Sequence, residues 1–255
     1  MDLFTNRANQ SIFFSLFLLK EKGIKEIFIP DQGAWYAYKL IPKYLGFKIR
    51  ILKTELGVPE EEELKKIKNS ALIICSSPGY LRDLSKKMWQ IKEILNENNS
   101  FLINDNSSGF SFDGDIVLMS FGYWKPINLG LGGLLRINNE ELLKTLKEKK
   151  LDEFFKLQIK LDEKTKKKAK ERLNKLESLV KEGIKIANEY KKRFKDFLIK
   201  ELKNENSLNV ALKYDKELIE TLKKEGLPFR KMPDYIRLKI KGISLESKRI
   251  SYPKP

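Results

Sequence analysis

The sequence contains no histidine and only one cysteine, Cys75. Without histidine the chain cannot form a Ser-His-Asp or Cys-His catalytic set, a histidine-ligated metal site or a histidine general base. One cysteine also excludes a disulfide framework and a zinc site built from several thiolates. We therefore expect no metal centre. Acid–base chemistry near neutral pH must come from a lysine, carboxylate or tyrosine with a shifted pKa, or from a cofactor.

Long apolar runs are also missing. The most apolar stretch, residues 12–19, is about half of the ~20 residues that a bilayer requires, and Ser15 interrupts it. It has neither the basic flank nor the cleavage site of a secretion signal. We therefore expect a cytoplasmic protein that does not bind membranes. Glutamine is scarce while lysine and glutamate are abundant, a bias typical of thermophile proteins.

Positive charge is concentrated in the second half of the chain. The net charge is +16; residues 1–140 hold 18 basic and 16 acidic side chains, and residues 141–255 hold 33 and 19. Such a basic half could bind nucleic acid or another anionic partner. However, acidic residues are interleaved throughout, and no aromatic or glycine-rich nucleic-acid motif accompanies the lysines. We therefore favour a solvated, lysine-rich helical surface and expect no nucleic-acid partner.

Short apolar runs alternate with polar helical stretches over the first 137 residues. The predicted strands lie at residues 26–30, 48–53, 71–76, 101–104, 115–120 and 133–137, and the predicted helices at residues 9–22, 34–45, 60–68 and 85–96. Strands that alternate with helices are typical of a parallel sheet covered on both faces. The sequence therefore predicts an α/β fold with a mostly parallel sheet flanked by helices.

The rest of the chain has a different pattern. Residues 140–202 are helical and lysine-rich, with breaks expected near residues 161–164 and at Gly183. The tail predicts a strand, a helix and a strand, at residues 208–213, 216–225 and 235–241. We therefore divide the chain into a large α/β domain (1–145), a helical connection (146–202) and a small C-terminal α/β domain (203–255).

Two ionisable residues follow predicted strands, at the edge where parallel sheets bind ligands. Lys125 lies among apolar and aromatic residues, so we expect desolvation to lower its pKa and leave a neutral, nucleophilic amine. The alternative is a lysine whose ammonium group reaches water. Asp105 follows the strand at residues 101–104 and could hold a protonated ring nitrogen, although a turn-capping role is common for aspartate.

Other residues near the same edge could bind a phosphate and a flat ring. The Ser120 hydroxyl and the backbone N–H groups of Ala8, Asn9 and Gln10, at the start of the first predicted helix, could bind a phosphate. Asn9 could instead cap that helix. Trp35 could stack on a ring, or it could pack in the core.

Four segments together resemble pyridoxal-phosphate enzymes of the aspartate aminotransferase fold, in particular the DegT/DnrJ/EryC1/StrS sugar aminotransferases. Residues 7–12 (RANQSI) are similar to the family's phosphate-binding turn, and residues 26–30 (EIFIP) to the strand before its ring-stacking aromatic residue. Residues 102–109 (LINDNSSG) are similar to its Val-Ile-Glu-Asp-x-Ala-Gln segment. The block at residues 114–133, with Ser120, Lys125 and Gly-Leu-Gly-Gly, is the most specific.

The resemblance implies a role for each of these residues. Lys125 would form a Schiff base with pyridoxal 5'-phosphate and later carry a proton between substrate and cofactor, and Asp105 would pair with the pyridine nitrogen. The phosphate would be held by Ser120 with Ala8, Asn9 and Gln10, and the ring would be covered by Trp35 and bordered by Ser108 and by Ser76 or Ser77. The implied substrates are a small amino donor and a keto acceptor, and the implied assembly is a homodimer.

Arg237, in the last predicted strand, is a candidate substrate-binding residue. In amino-acid aminotransferases of this fold, an arginine in a similar place binds the substrate carboxylate through a bidentate fork. Arg237 would then favour an amino acid over a nucleotide sugar. The alternative is a surface arginine on an edge strand.

The chain also departs from the family pattern, which keeps other functions open. The Gly-Thr of the phosphate turn is missing, and serine replaces glutamine at Ser108. The turn begins close to Met1, so we expect the chain to be shortened relative to the family before this turn. One alternative is a lyase, decarboxylase or desulfurase that uses the same cofactor. Cys75 argues against a desulfurase, because burial in an apolar strand raises a thiol's pKa. The other alternative is a divergent, non-catalytic homologue that binds nucleic acid or a protein partner through its basic half.

Overall fold

The computed structural model describes residues 1–109 and 111–254. Its strands are β1 (Asp2–Thr5), β2 (Glu26–Pro30), β3 (Lys48–Leu52), β4 (Thr54–Glu55), β5 (Val58–Pro59), β6 (Ala71–Cys75), β7 (Phe101–Asp105), β8 (Ile116–Ser120), β9 (Gly133–Ile137), β10 (Val210–Leu212), β11 (Phe229–Met232) and β12 (Gly242–Leu245). Its α-helices are α1 (Ala8–Glu21), α2 (Ala37–Tyr44), α3 (Glu61–Leu64), α4 (Met88–Glu97), α5 (Glu140–Glu148), α6 (Leu151–Leu157), α7 (Glu163–Leu173), α8 (Leu176–Arg193), α9 (Lys216–Lys224) and α10 (Ser247–Ser251).

A seven-stranded sheet in the order β1-β9-β8-β7-β6-β2-β3 forms the centre of the molecule. Strands β3, β2, β6, β7 and β8 are parallel, while β9 is antiparallel to β8 and β1 is antiparallel to β9. The predicted α/β fold with a mostly parallel sheet is confirmed. The carboxyl ends of the parallel strands meet at one edge, and that edge is where the loops can form a site.

The central strands are buried on both faces because successive side chains point into two different apolar layers. In β6, Ala71 and Ile73 pack with residues of α1, α2 and α5 on one face. Leu72 and Ile74 pack with residues of α3 and α4 on the other face. This two-sided burial explains why the sequence of β6 is apolar throughout and does not alternate with polar residues.

A second, antiparallel sheet of order β10-β12-β11 lies in the C-terminal part. Helices α8 and α9 pack on it around Leu212 and Ile243. The predicted strand at residues 235–241 is wrong, because the carbonyls of Tyr235 and Arg237 accept hydrogen bonds from the loop after β2 and not from a neighbouring strand. The division into three ranges stays a prediction, and residue 255, the end of the third range, lies outside the described residues.

The predicted break at Gly183 is also wrong, since α8 continues through this residue. Tyr252 packs closely against Gly183 and donates its hydroxyl to the carbonyl of Leu179 at 2.7 Å. A side chain at this position would collide with the Tyr252 ring, so the glycine serves helix packing and does not end the helix. The other expected break is confirmed, because α6 ends at Leu157 and α7 begins at Glu163.

Candidate active site

A cavity of about 570 Å³ lies at the carboxyl edge of the central sheet. The loops after β2, β6, β7 and β8, the start of α1 and the C-terminal residues around α10 form its wall. It brings together Lys125, Asp105, Ser120, Ala8, Asn9 and Trp35 from the residues that the sequence singled out. These residues are far apart in the chain and meet because parallel strands end at the same edge.

Lys125 lies in the loop after β8 and is held by two hydroxyl groups. Its Nζ donates to the Tyr80 hydroxyl and, at 3.5 Å, to Ser108 Oγ. Burial acts to lower the pKa of Lys125, but the neighbouring Tyr80 and Asp105 outweigh burial and raise the pKa above its usual value. The expected lowering is therefore wrong. The apolar sequence around Lys125 gave no sign of these polar partners, which come from other strands.

Asp105 is the last residue of β7 and is almost completely buried. One carboxylate oxygen accepts the Tyr38 hydroxyl at 2.6 Å, and the other accepts the backbone N–H of Ser107 at 3.0 Å. Burial and the Asp105 charge raise the pKa of Tyr38 well above its ordinary value, so Tyr38 stays a proton donor. The carboxylate is thus fixed in orientation, and it faces the cavity.

The start of α1 forms another end of the cavity. The helix begins at Ala8 after Arg7, without a side-chain cap on its N–H groups, so Asn9 does not cap it. Asn9 instead accepts the indole N–H of Trp35 at 3.1 Å. Ser120, at the end of β8, lines the same cavity. Uncapped N–H groups beside a hydroxyl are suited to an oxygen-rich anion.

Trp35 is 45% exposed and lines the cavity, which makes the core-packing alternative wrong. Its place in the loop after β2 follows from the proline that ends the strand. The ring is therefore available to cover a flat ligand from the cavity mouth.

Four predicted residues, Gln10, Ser76, Ser77 and Ser108, lie outside the wall of this cavity. The backbone N–H of Gln10, predicted to bind a phosphate, donates to the Arg7 carbonyl at 2.9 Å, and its side chain binds the backbone of Asn6 and Gln158, at 2.8 and 3.1 Å. Ser77 is buried and donates to the Arg82 carbonyl at 3.1 Å. Ser76 is fully buried and donates to Asn106 Oδ1 at 3.2 Å. Ser108 lines a smaller neighbouring cavity, from which its hydroxyl reaches Lys125.

Arg237 lines the cavity but is committed to another residue. It is buried, and its Nε and Nη2 donate to the two carboxylate oxygens of Glu246 at 2.9 and 2.6 Å. The predicted bidentate grip on a substrate carboxylate is therefore not available in this structure. The alternative, a surface arginine on an edge strand, is also wrong. Nothing in the sequence indicated that Glu246, which directly follows β12, would be the partner of Arg237.

Sequence reasoning missed several residues of the cavity wall, and Tyr80, Lys248 and Arg249 are the ones that matter most for its charge. Tyr80 closes a helical turn after β6, with a φ of +64°, and its position after a strand could have revealed it. Lys248 and Arg249 lie on α10, in a tail that carried no recognisable motif. The tertiary packing of the C-terminal sheet brings them to the cavity.

Other kinds of site receive no support from the part of the chain that the structure describes. Over residues 1–109 and 111–254, no His, Cys, Asp and Glu side chains are grouped as a metal site would require. No helix in these ranges has both the length and the apolarity to cross a membrane.

Comparisons with known proteins show the fold. No family model matches the sequence, and no curated protein does. Among solved structures, the chain is similar to PseC of Helicobacter pylori, an aminotransferase in pseudoaminic acid biosynthesis (16% identity, TM-score 0.72, 98% of this chain and 84% of that one). It is also similar to a DegT DnrJ EryC1 StrS aminotransferase of Brucella abortus (16%, 0.67, 98% and 84%). A sphingosine-1-phosphate lyase of Burkholderia pseudomallei has the same fold (10%, 0.74, 99% and 66%). The fold that the sequence resemblance implied is confirmed.

Proposed function

We propose that this chain is a pyridoxal-phosphate-dependent aminotransferase of the DegT/DnrJ/EryC1/StrS type, with Lys125 as the covalent anchor of the cofactor. One observation carries the proposal: an amine, a fixed carboxylate, an uncapped helix start and an exposed indole line a single cavity. The fold is that of the aminotransferases named above, which supports the same conclusion. The proposed substrates are a small amino donor and a keto acceptor.

The helix end of the cavity fits a phosphate group. A side-chain carbon on Gly133 would lie 2.9 Å from the backbone N of Ala8, so the glycine allows β9 to approach the start of α1. Gly132, with a φ of +95°, makes the turn into that strand. The N–H groups of Ala8 and Asn9, the Ser120 hydroxyl and the Arg7 side chain would hold the phosphate.

The sheet end of the cavity fits a pyridine ring. Asp105 presents a carboxylate that two donors orient, and such a group keeps a ring nitrogen protonated. Trp35 lies at the mouth of the cavity, where it would cover one face of the ring. Tyr38 does not face the solvent and acts through Asp105.

The cofactor, when bound, supplies an electron sink for the carbon next to the substrate nitrogen. The residues of the chain do the remaining work. Lys125 Nζ must lose a proton before it can act as a nucleophile, because Tyr80 and Asp105 favour its charged form. With cofactor and substrate bound, Lys125 Nζ would be the group that carries a proton between substrate and cofactor. Tyr80 and Ser108 keep the amine in the cavity by hydrogen bonds.

A visible spectrum of the purified protein with added pyridoxal phosphate tests the proposal. We expect an absorption band in the visible range that is absent in Lys125→Ala and unchanged in Lys68→Ala, whose side chain is exposed and outside the cavity. If the wild-type protein gives no band, or Lys125→Ala keeps it, the proposal fails.

A second assay separates the reaction types. Incubation with amino acids and a keto acid, followed by chromatography of both products, detects transfer of the amino group. We expect the new amino compound and the new keto acid in equal amounts. Release of carbon dioxide together with the amine of the donor would instead identify a decarboxylase. Release of ammonia with no amination of the keto acid would identify a lyase, a reaction type found in one protein of this fold.

A further inference from the structure

Lys248 is a second buried lysine in the wall of the same cavity. It lies on α10 and is 5% exposed, and its Nζ is 3.8 Å from the centre of the Tyr80 ring. Lys125 Nζ lies 4.5 Å from the centre of that ring, and the Arg237 guanidinium lies 4.9 Å from it. Three cationic groups of different elements therefore surround one tyrosine.

Negative charge near Lys248 is already used by other groups. The nearest carboxylate, Glu246, is 3.9 Å from Lys248 Nζ. It accepts two hydrogen bonds from Arg237, and others from Asn209 and Ser244. Within residues 1–109 and 111–254, Lys248 Nζ itself has no hydrogen-bond partner. The amine thus faces the cavity without a dedicated counter-ion.

This environment favours an uncharged amine, for two physical reasons. Burial removes the water that would solvate an ammonium group, and neighbouring positive charges repel it. Together these effects bring the pKa of Lys248 well below its ordinary value, against the attraction of the Glu246 carboxylate. The charged and titratable groups that face Lys248 are Lys125, Tyr80, Arg237, Arg249 and Glu246. The two lysines therefore differ in the direction of their pKa shifts: the pKa of Lys125 is raised, and the pKa of Lys248 is lowered.

We propose that Lys248 is a carbonyl-reactive amine, which binds small aldehydes or ketones in this cavity through a covalent C=N bond. The Nζ lone pair attacks the carbonyl carbon, and the carbonyl π electrons move to the oxygen. The nitrogen then forms the second bond to this carbon while the C–O bond breaks. The oxygen leaves as water, whose two protons both come from the amine nitrogen. A desolvated lysine beside another cationic group is an established way to make an amine nucleophilic at neutral pH.

This inference goes beyond the proposed function and does not depend on it. In the proposed aminotransferase, the keto acceptor would be a natural carbonyl compound for Lys248. Without any cofactor, the same amine would still react with a simple aldehyde. The two proposals can therefore fail separately.

Reductive trapping on the wild-type protein, without added cofactor, tests the inference. The protein is mixed with propionaldehyde and cyanoborohydride over a pH range that extends from about 6 to about 11.5, beyond the ordinary lysine pKa, and each modified lysine is measured by peptide mass spectrometry. Lys39 is the matched control, because its Nζ lies 3.6 Å from the centre of the Tyr235 ring but the residue is exposed and outside the cavity. The midpoint of rate against pH reports the pKa of each amine whatever its accessibility.

We expect the Lys248 midpoint to lie at least about one pH unit below that of Lys39, which is about a tenfold larger uncharged fraction at neutral pH. In Lys125→Met the Lys248 midpoint should rise, because a neighbouring positive charge has been removed. A Lys248 midpoint equal to that of Lys39 would overturn the inference, and so would a Lys248 midpoint that Lys125→Met leaves unchanged.

A parallel sample with pyridoxal phosphate and borohydride separates the two proposals. Cofactor on Lys125, with Lys248 still reactive toward propionaldehyde, supports both. If no cofactor is trapped but Lys248 reacts with propionaldehyde, the proposed function fails and the inference stands. Cofactor trapped on Lys248 in place of Lys125 would support the reactivity of Lys248 and overturn the role proposed for Lys125.

Discussion

Two donors orient the Asp105 carboxylate, the Ser107 backbone N–H and the buried hydroxyl of Tyr38 on α2, and only Tyr38 donates from its side chain. Tyr38→Phe keeps the ring and leaves one buried carboxylate oxygen without its donor. We expect the free energy of unfolding to fall by about 1–3 kcal/mol, the usual cost of such a loss. Equilibrium unfolding in urea measures this difference in the free energy of unfolding. Tyr44→Phe is the control, since Tyr44 is 80% exposed and should change stability by less than about 0.5 kcal/mol. Equal stability of Tyr38→Phe and wild type would contradict this role.

The surroundings of Cys75 disfavour its thiolate form. Burial, assisted by the Asp105 charge, raises the pKa of its thiol to about 12. At pH 8 an ordinary thiol is partly ionised, whereas Cys75 stays protonated. We expect iodoacetamide to alkylate Cys75 at pH 8 at least about a hundredfold more slowly in the native protein than in the urea-unfolded chain. Similar rates in both states would mean that the thiolate forms in the folded protein, and would reopen the desulfurase alternative.

Sequence reasoning could find the site residues that lie at or shortly after the ends of strands, such as Asp105, Ser120 and Lys125. Their location follows from topology alone, because parallel strands end at one edge. It could not find the partners of a side chain. The sequence did not show that Arg237 forms an ion pair with Glu246, which directly follows β12. The sequence predicted a lowered pKa for Lys125, because it did not show that Tyr80 approaches the amine from the turn after β6.

Among the elements, the start of α1 depends on the absence of a side chain in β9. A Cβ on Gly133 would lie 2.8 Å from the Met119 carbonyl and 2.9 Å from the Ala8 nitrogen, so backbone would have to move. We expect Gly133→Ala to cost about 1–3 kcal/mol of stability by overpacking and to weaken pyridoxal phosphate binding, as measured by spectroscopic titration.

Gly226→Ala is the matched control for this element. Gly226 has a φ of +66° but open space around its Cα, and it lies outside the cavity. Its substitution strains a turn without moving α1. The control should keep the cofactor affinity of the wild type. If both alanine variants bind the cofactor with the same affinity, the close approach of β9 to α1 does not shape the end of the cavity proposed to bind the phosphate.

Hydrophobic periodicity predicted the long elements well and the short ones poorly. The alternation of strands and helices identified β2, β3, β6, β7, β8 and β9, because burial on one or two faces leaves a clear pattern. It missed the short strands β1, β4, β5, β11 and β12. Such strands have too few residues for a period, and only their pairing partners define them.

At the scale of the whole molecule, acidic residues are interleaved with the lysines of the basic second half and pair with some of them. On α6, α7 and α8, Lys156, Lys166 and Lys181 each pair with an acidic residue three or four positions away, at 3.3, 2.7 and 2.7 Å. Such exposed pairs contribute little to stability, but they interrupt a continuous positive field. This arrangement supports the preference for a solvated helical surface over a nucleic-acid interface.

The cavity mouth carries apolar side chains that a second copy of the chain would cover. Trp35, Tyr36, Tyr123 and Leu131 are between 42% and 48% exposed, and all except Tyr36, which packs on Trp35, line the cavity. Clustered exposed apolar residues are typical of interaction surfaces. We therefore expect a homodimer, with twice the 29.9 kDa mass of the chain in light scattering after gel filtration.

Leu131→Asp should shift this dimer toward monomer at least about tenfold in dissociation constant, because each interface would bury a charge in an apolar contact. Leu157→Asp is the control, since Leu157 is 79% exposed on α6 and outside the cavity wall. A monomeric wild type would contradict the predicted homodimer. Equal loss of the dimer in both variants would show that the cavity mouth is not specifically part of the subunit interface. A dimer lost only in Leu131→Asp would place the partner subunit beside Trp35, where it could complete the wall of the site.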